Sequence, residues 1–556
     1  MVRSIARALI ATSALLPALA AVASPQEVLF AFGGAGDAHS GWCSGGVGDI
    51  NGDNFPDLIL GAPEDNVGGE EAGRVLVLSG RDGSVLFDIL GESEADHFGE
   101  HVAGTGDVNL DGTPDFLVGV PFGDGNAPGS GYAVVLSGVD GSLIHRFDGD
   151  ETGDTLGDTC EAAGDVNADG WIDLIVGGRG HDGNGVDTGI ARVFSGQDGS
   201  ELYSFIGTSP GALAGSVVDG VGDINADGFD DVGVGAKGTT VDGLTTCGQA
   251  LVFSGFDGSL LFKIDGREAG DGLGKGLAGL GDVNGDGVLD IAIGAWQVFN
   301  NSPAATGFGQ VHSTDDLAII YKVIGDKPHD SIGVWVSSAG DANRDGHPDI
   351  AVGGPHYDFA GFFNAGRITV LSGIDGSLIY ETFGEGEGDG LGHHTADAGD
   401  VNQDGYDDLI AGAYWNDFGG HDAGRTYVFS GCPAVLERLG GDLAGSNGLA
   451  PNLAGCGRLE GGDPLTFRII NAPPSSVGAL MIGLSAIDAP FKGGLLVPAP
   501  DWMVFLPTTS EGSIDMAATW PDNLPPGFET YYQFWISDPG APTGFAASNA
   551  LLTRTP

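Results

Sequence analysis

Between residues 27 and 431 the chain is built of short apolar runs, each bounded by Gly, Asp, Ser or Pro. Runs such as Leu58-Ile59-Leu60, Phe116-Leu117-Val118, Leu174-Ile175-Val176 and Ile291-Ala292-Ile293 have strand length. Each follows an acidic segment and leads to Gly-Ala-Pro (61–63), Gly-Val-Pro (119–121), Gly-Gly-Pro (353–355) or a variant. A further strand such as Arg74-Val75-Leu76-Val77-Leu78 then reaches Ser79-Gly80-Arg81-Asp82-Gly83-Ser84, a turn that recurs at Ser137, Ser195, Ser254 and Ser372. Asp-Gly between apolar runs is a strong hairpin signal, and Leu260-Leu261-Phe262-Lys263-Ile264 is an example of the strand that follows. Four short antiparallel strands in a unit of about 58 residues, repeated seven times, predict an all-β fold, a seven-bladed β-propeller. The seventh unit stops after its third strand, Arg425–Phe429, while Glu27–Gly33 repeats the pattern of the fourth strand Ser84–Leu90. Residues 27–33 are therefore expected to complete the last blade and close the ring.

The acidic segments carry the candidate chemistry. They begin at Asp49, Asp107, Asp165, Asp223, Asp282, Asp341 and Asp400, in steps of 58, 58, 58, 59, 59 and 59 residues. Each has Asp at positions 1, 5 and 9 and Asn at position 3. The seven sets are Asp49, Asn51, Asp53, Asp57; Asp107, Asn109, Asp111, Asp115; Asp165, Asn167, Asp169, Asp173; Asp223, Asn225, Asp227, Asp231; Asp282, Asn284, Asp286, Asp290; Asp341, Asn343, Asp345, Asp349; and Asp400, Asn402, Asp404, Asp408. A hard cation such as Ca²⁺ takes six to eight oxygens at roughly 2.3–2.6 Å. Alternate residues of a tight loop bring oxygens from positions 1, 3 and 5 to one centre, and a carbonyl at 7 with the carboxylate at 9 closes the shell. Position 6 is Gly in six loops and Asn54 in the first, both tolerant of positive φ. An EF-hand would place Glu at position 12 and continue into a helix; here a strand follows. Up to seven Ca²⁺ are thus expected. Without metal, three converging carboxylates in each loop would repel one another.

A Gly stands eight residues before each loop, at Gly41, Gly99, Gly157, Gly215, Gly274, Gly333 and Gly392, often after an apolar residue as in Phe98-Gly99. The Phe-Gly, Asp-x-Asn-x-Asp-Gly-x-x-Asp and Gly-Ala-Pro arrangement over residues 27–431 resembles the FG-GAP repeats of the integrin α-subunit propeller and its bacterial relatives. That resemblance implies calcium in the loops joining strands one and two of a blade, on the face opposite the usual ligand surface. Integrins carry such loops only in some blades, whereas every repeat has one here. A particular ligand does not carry over.

Composition extends this picture. Arg3 and Arg7 precede an apolar run, Ala8 to Ala23, with the form of a secretory signal peptide over residues 1–23. The propeller would then span 24–433. The net charge of −56, from 77 acidic and 21 basic residues, disfavours nucleic acid and anionic membranes as partners. Positions 1, 5 and 9 of the seven loops supply 7 × 3 = 21 of those acids, and seven Ca²⁺ would return +14, leaving about −42. Of the five cysteines, Cys432 and Cys456 are the expected bridge, and Cys43, Cys160 and Cys247 are expected as buried small hydrophobes. Residues 434–556 change character, with 11 acids, 5 basic residues, frequent Pro and strand-like segments such as Leu465–Ile470, Ala479–Leu484 and Tyr531–Ile536. They are expected to form a β-sandwich-like domain.

No catalytic motif survives inspection. Gly207-Thr208-Ser209-Pro210-Gly211 matches GxSxG but lies in an inter-blade turn without a following helix. Gly274–Gly279 matches GxGxxG but consists of the fifth repeat's pre-loop glycines. The twelve histidines are scattered; His97 and His101, and His393-His394, fall near repeat starts and are expected on the surface or between blades. The expectation is a non-enzymatic, secreted or cell-surface, calcium-binding scaffold for adhesion, binding an extracellular protein or glycan through the variable stretches 65–72, 123–130, 180–188, 239–246, 296–307, 356–365 and 416–423. The alternative is an extracellular carbohydrate-active or ester-hydrolysing enzyme on the same platform.

Overall fold

In a computed structural model the chain is described over residues 28–297, 305–403 and 405–431, and over most of 436–554. The 1–23 segment and Cys432 lie outside the described residues, and so does the expected Cys432–Cys456 bridge. Among the described residues there is no helix, hence none long and apolar enough to cross a membrane.

Seven four-stranded antiparallel sheets form the blades of a β-propeller. Their inner strands are Ser44–Gly48, His101–Gly106, Thr159–Gly164, Ala214–Gly222, Leu273–Gly281, Trp335–Ser338 and Thr395–Gly399. Each inner strand contacts that of the next blade, and Ser44–Gly48 contacts Thr395–Gly399, so the ring is closed. The second strand of every blade is buried on both faces. That is why its sequence is a continuous apolar run: neighbouring blades cover it from either side. Most outer strands alternate between exposed and half-buried positions instead.

Closure uses the N-terminal strand as expected. Val28–Gly33 pairs antiparallel with Arg425–Phe429, Gly33 opposite Arg425, and supplies the outer strand of blade seven. Its Leu29, Phe30 and Phe32 pack against a core shared by blade one (Leu58, Leu60, Leu78) and blade seven (Ile410, Val428). Six residues from one end of the chain therefore hold together the first and last repeats.

Glycine sets the distance between blades. A Cβ on Gly61 would lie 2.1 Å from the Gly99 carbonyl oxygen of the next blade. The equivalent approach recurs at every junction, down to 1.7 Å between Gly412 of blade seven and Gly41 of blade one. The first Gly is that of Gly-Ala-Pro, and the second is that of Phe-Gly. A parallel bridge beside it, such as Gly73 to Phe98, completes the contact.

Residues 436–554 form a five-stranded sheet and a three-stranded sheet, plus a two-stranded hairpin. Leu453, Phe467 and Ile469 of the smaller sheet pack on Leu480, Ile482, Tyr532, Phe534 and Leu551 of the larger one, a sandwich core. The strand Asn452–Cys456 contacts Leu378–Phe383 of blade six, the one outer strand buried almost throughout.

Two outcomes follow from these contacts. Gly61→Ala should destabilise the protein by about 1–3 kcal/mol or more in thermal or urea unfolding. Gly36→Ala, where a Cβ meets nothing within 4 Å, should stay within about 0.5 kcal/mol; equal effects would contradict the junction reading. Deleting residues 28–33 should raise amide exchange first in 395–429, and uniform exchange across all blades would count against the closure role.

Candidate functional site

The acidic loops all join the first and second strands and so lie at one end of the ring. Each contains two residues of left-handed conformation, at positions 4 and 6. Position 6 has φ of 69° at Asn54 and 89–95° at the glycines. Position 4 has φ near 56° even where it is Leu110, Ala168, Ala226, Arg344 or Gln403. Such non-glycine residues cost about 1–3 kcal/mol each, and none of them is a turn former that would mark the conformation beforehand. The first Asp offsets the cost by taking the amides that this conformation turns inward. Asp49 Oδ1 accepts from Gly52 and Asp53 at 2.7 and 3.0 Å, and Oδ2 accepts from Asn54 at 2.7 Å. The same capping recurs at Asp107, Asp165, Asp223, Asp282 and Asp341.

The ninth Asp is fully buried. Asp57 Oδ2 accepts the Ile50 amide at 2.9 Å, and Oδ1 accepts the Gly80 amide at 3.0 Å. Gly80 belongs to the Ser-Gly turn between strands three and four, where a Cβ would lie 1.8 Å from the Pro56 carbonyl oxygen. Asp115, Asp173, Asp231, Asp349 and Asp408 repeat this double bond, taking Gly138, Gly196, Gly255, Gly373 and Gly431. The fifth repeat lacks the Ser-Gly turn, and there Asp290 Oδ1 has no hydrogen-bond partner. Thr314 instead donates to the Leu289 carbonyl at 2.6 Å.

These carboxylates feel one another. Burial first, then the charges of Asp169 and Asp165, push Asp173 up to about 6. Asp231 and Asp290 are likewise raised to about 6, and Asp349 to about 8. No three loop carboxylates among the described residues close to within 4.8 Å of one another, so a bound cation would have to draw them inward. The donor set is nonetheless all oxygen, and positions 1, 3, 5 and 9 of each loop are the residues to hold such an ion. Asp404 lies outside the described residues.

The opposite end carries the variable connections between strands two and three, together with the mouth of the ring. At the position occupied by Pro63, Pro121 and Pro355 in three blades, the others carry Arg179, Lys237, Trp296 and Tyr414. Tyr414 packs on Trp42, His393 and Trp415 with ring centroids 4.9, 4.3 and 4.1 Å away. Lys237 sits 5.8 Å over the Trp296 ring, and Arg179 pairs with Asp158 at 3.1 Å. Burial lowers Lys237 to about 8 and Lys275, near it, to about 7. The aromatic part of this mouth has a trace in the sequence, Trp296 and Trp415 at positions that vary among the repeats; the basic part, Arg179 and Lys237, shows only as the loss of Pro at one repeat position. Deeper on the axis, burial pushes Asp219 to about 7, and burial followed by the Asp219 charge raises Glu161. Trp335 lies 4.2 Å from the His394 ring, centroid to centroid, on the inner strand of blade six.

The fold and its repeated loops define a class, the FG-GAP β-propellers: the FG-GAP repeat family matches residues 44–78, 98–136, 333–371 and 394–429. Integrin alpha-5 of Xenopus laevis is 29% identical over 239 residues, 40% of this chain and 22% of that protein. Integrin alpha-V of Gallus gallus is 29% identical over 222 residues (36% and 20%), and integrin alpha pat-2 of Caenorhabditis elegans 30% over 265 (41% and 21%). The chain is an integrin alpha-like FG-GAP repeat protein. It spans about a fifth of the length of the curated relatives it matches.

The two kinds of Asp separate by measurement. In EDTA, Asp115→Ala should cost about 2–4 kcal/mol, because it leaves the buried Val108 and Gly138 amides unpaired. Asp111→Ala, exposed in the same loop, should cost little until calcium is added. Equal losses in EDTA would contradict the division.

Proposed function

We propose that the protein is a secreted calcium-binding scaffold for adhesion or interaction, with residues 24–433 as a propeller unit and 434–556 as a second domain. The observation that carries this reading is the difference between the two ends of the ring. One end repeats a single acidic loop seven times; the other presents seven unlike connections around an aromatic and basic mouth. An identical feature in every blade suits a common structural ion, and divergent loops suit recognition. Calcium is the ion, because the donors are carboxylate, amide and carbonyl oxygens. The mouth, with Trp42, Tyr414, Arg179 and Lys237, suits an extracellular ligand offering a planar or apolar face and a carboxylate, on a protein or an acidic glycan. Export is supported by the Arg-then-apolar pattern of residues 1–23.

Binding to the native state alone stabilises by about 2.7 kcal/mol per site at a hundredfold excess over Kd. The melting temperature should therefore rise with millimolar Ca²⁺ and fall in excess EDTA, and an unchanged value would overturn the calcium reading. On a panel of extracellular polysaccharides and matrix proteins, retention should require Ca²⁺. It should weaken at least about tenfold in the Trp42→Ala, Lys237→Ala double variant. Release of product from the same wells would replace the scaffold by an enzyme.

A further inference from the structure

Three polar residues meet near the axis of the ring, from three adjacent blades. Cys43 precedes the inner strand of blade one, His101 opens that of blade two, and His394 precedes that of blade seven. Each stands two residues after the pre-loop glycine of its repeat, Gly41, Gly99 and Gly392. Their exposures are 1%, 4% and 4%. Cys43 Sγ lies 3.2 Å from His394 Nε2, and one ligand-type atom from each of the three residues falls within 4.8 Å of the other two. We propose that Cys43, His101 and His394 bind a single borderline-soft transition-metal ion, zinc or copper, at the mouth end of the axis.

Four features support this assignment. One thiolate and two imidazoles are the donors such ions select, and the hard-oxygen loops at the other end are of the opposite kind. Metal–ligand bonds of about 2.0–2.3 Å place tetrahedral donors about 3.3–3.6 Å apart. The Cys43–His394 pair is already near that spacing, and His101 needs to move by about an ångström. His101 Nε2 is buried without a hydrogen-bond partner. The other ring nitrogen, Nδ1, faces Cys160, whose Sγ lies 3.9 Å away, so Nε2 is the nitrogen turned to the cluster. Finally, the Val102 amide donates to Cys43 Sγ at 3.4 Å, a contact a thiolate keeps, while the thiol proton that metal binding removes is directed to the Val102 carbonyl, also at 3.4 Å.

The surroundings complete the balance. Binding a divalent ion through the Cys43 thiolate releases one proton, from the thiol to solvent, and leaves one positive charge on the site. Glu100 and Glu161 lie near Cys43, and Lys275 lies near His101 and His394. The Ser44 amide donates to His394 Nδ1 at 3.5 Å, so a metal at Nε2 requires that ring to carry its proton on Nδ1 and to give up this long bond. Trp335 covers the cluster, with ring centroids 4.2 Å from His394 and 5.8 Å from His101.

The test uses the full mature chain saturated with Ca²⁺, so that the oxygen loops are filled. Co²⁺ should give one equivalent of thiolate-to-metal charge-transfer absorbance, bleached by one equivalent of Zn²⁺. X-ray absorption of the Zn²⁺-loaded wild type should show sulfur and imidazole nitrogen, a readout independent of any variant. Cys43→Ser should abolish the Co²⁺ band, and His101→Gln should weaken Zn²⁺ binding more than about tenfold. Cu⁺ offered against Zn²⁺ then identifies the preferred ion. An all-oxygen shell, absence of the charge-transfer band, or undiminished Zn²⁺ affinity in Cys43→Ser would overturn the site.

Discussion

The contact on which the rest of this structure depends is the backbone-to-backbone approach of two glycines at each blade junction. At Gly353 a Cβ would meet the Gly392 carbonyl oxygen at 1.9 Å, and at Gly119 it would meet that of Gly157 at 2.1 Å. Only glycine on the second strand lets the next blade come this close, and only that distance lets the second strands be buried on both faces. In a closed ring, a blade pushed outward at one junction disturbs the others, because no free end exists to absorb the shift. The motif letters of the repeat are thus the two sides of one inter-blade contact, separated in sequence but adjacent in space.

Much of this was legible beforehand. The period of the acidic loops, the missing fourth strand of the last unit and its match at residues 27–33 determine a closed ring of seven, because strand pairing is local and antiparallel. The apolar segments near 467, 481 and 534 likewise become the facing layers of the C-terminal sandwich. What escaped reading depends on partners distant in sequence. The left-handed residues at position 4 are ordinary side chains such as Leu110 and Ala168, held there by the carboxylate of position 1. Nothing in their identity announces the conformation.

The ninth Asp shows why a repeat position can serve two ends at once. Its carboxylate ties the acidic loop to the turn between strands three and four, a link of 23 residues in sequence between Asp57 and Gly80. Loop geometry and blade geometry are therefore coupled whether or not an ion is present. The fifth blade tests this coupling naturally. It lost the Ser-Gly turn, its Asp290 oxygen lost a partner, and Leu317 adopts φ of 59° where the other turns use Gly.

The axis illustrates the complementary rule. A propeller repeats its backbone, so one repeat position forms a ring of seven side chains around the centre. At that level the chain places Cys43, His101, Thr159, Val217, Gly276, Trp335 and His394. No two are alike except the histidines, and the three polar donors fall in blades seven, one and two. His394 and Cys43 are separated by 351 residues yet touch at 3.2 Å because the first strand of the chain closes the last blade. Such a site has no linear motif, and searching for spacing along the chain cannot find it. Reading one repeat position around the ring can, since symmetry of the backbone turns a column of the repeat alignment into a layer of the structure.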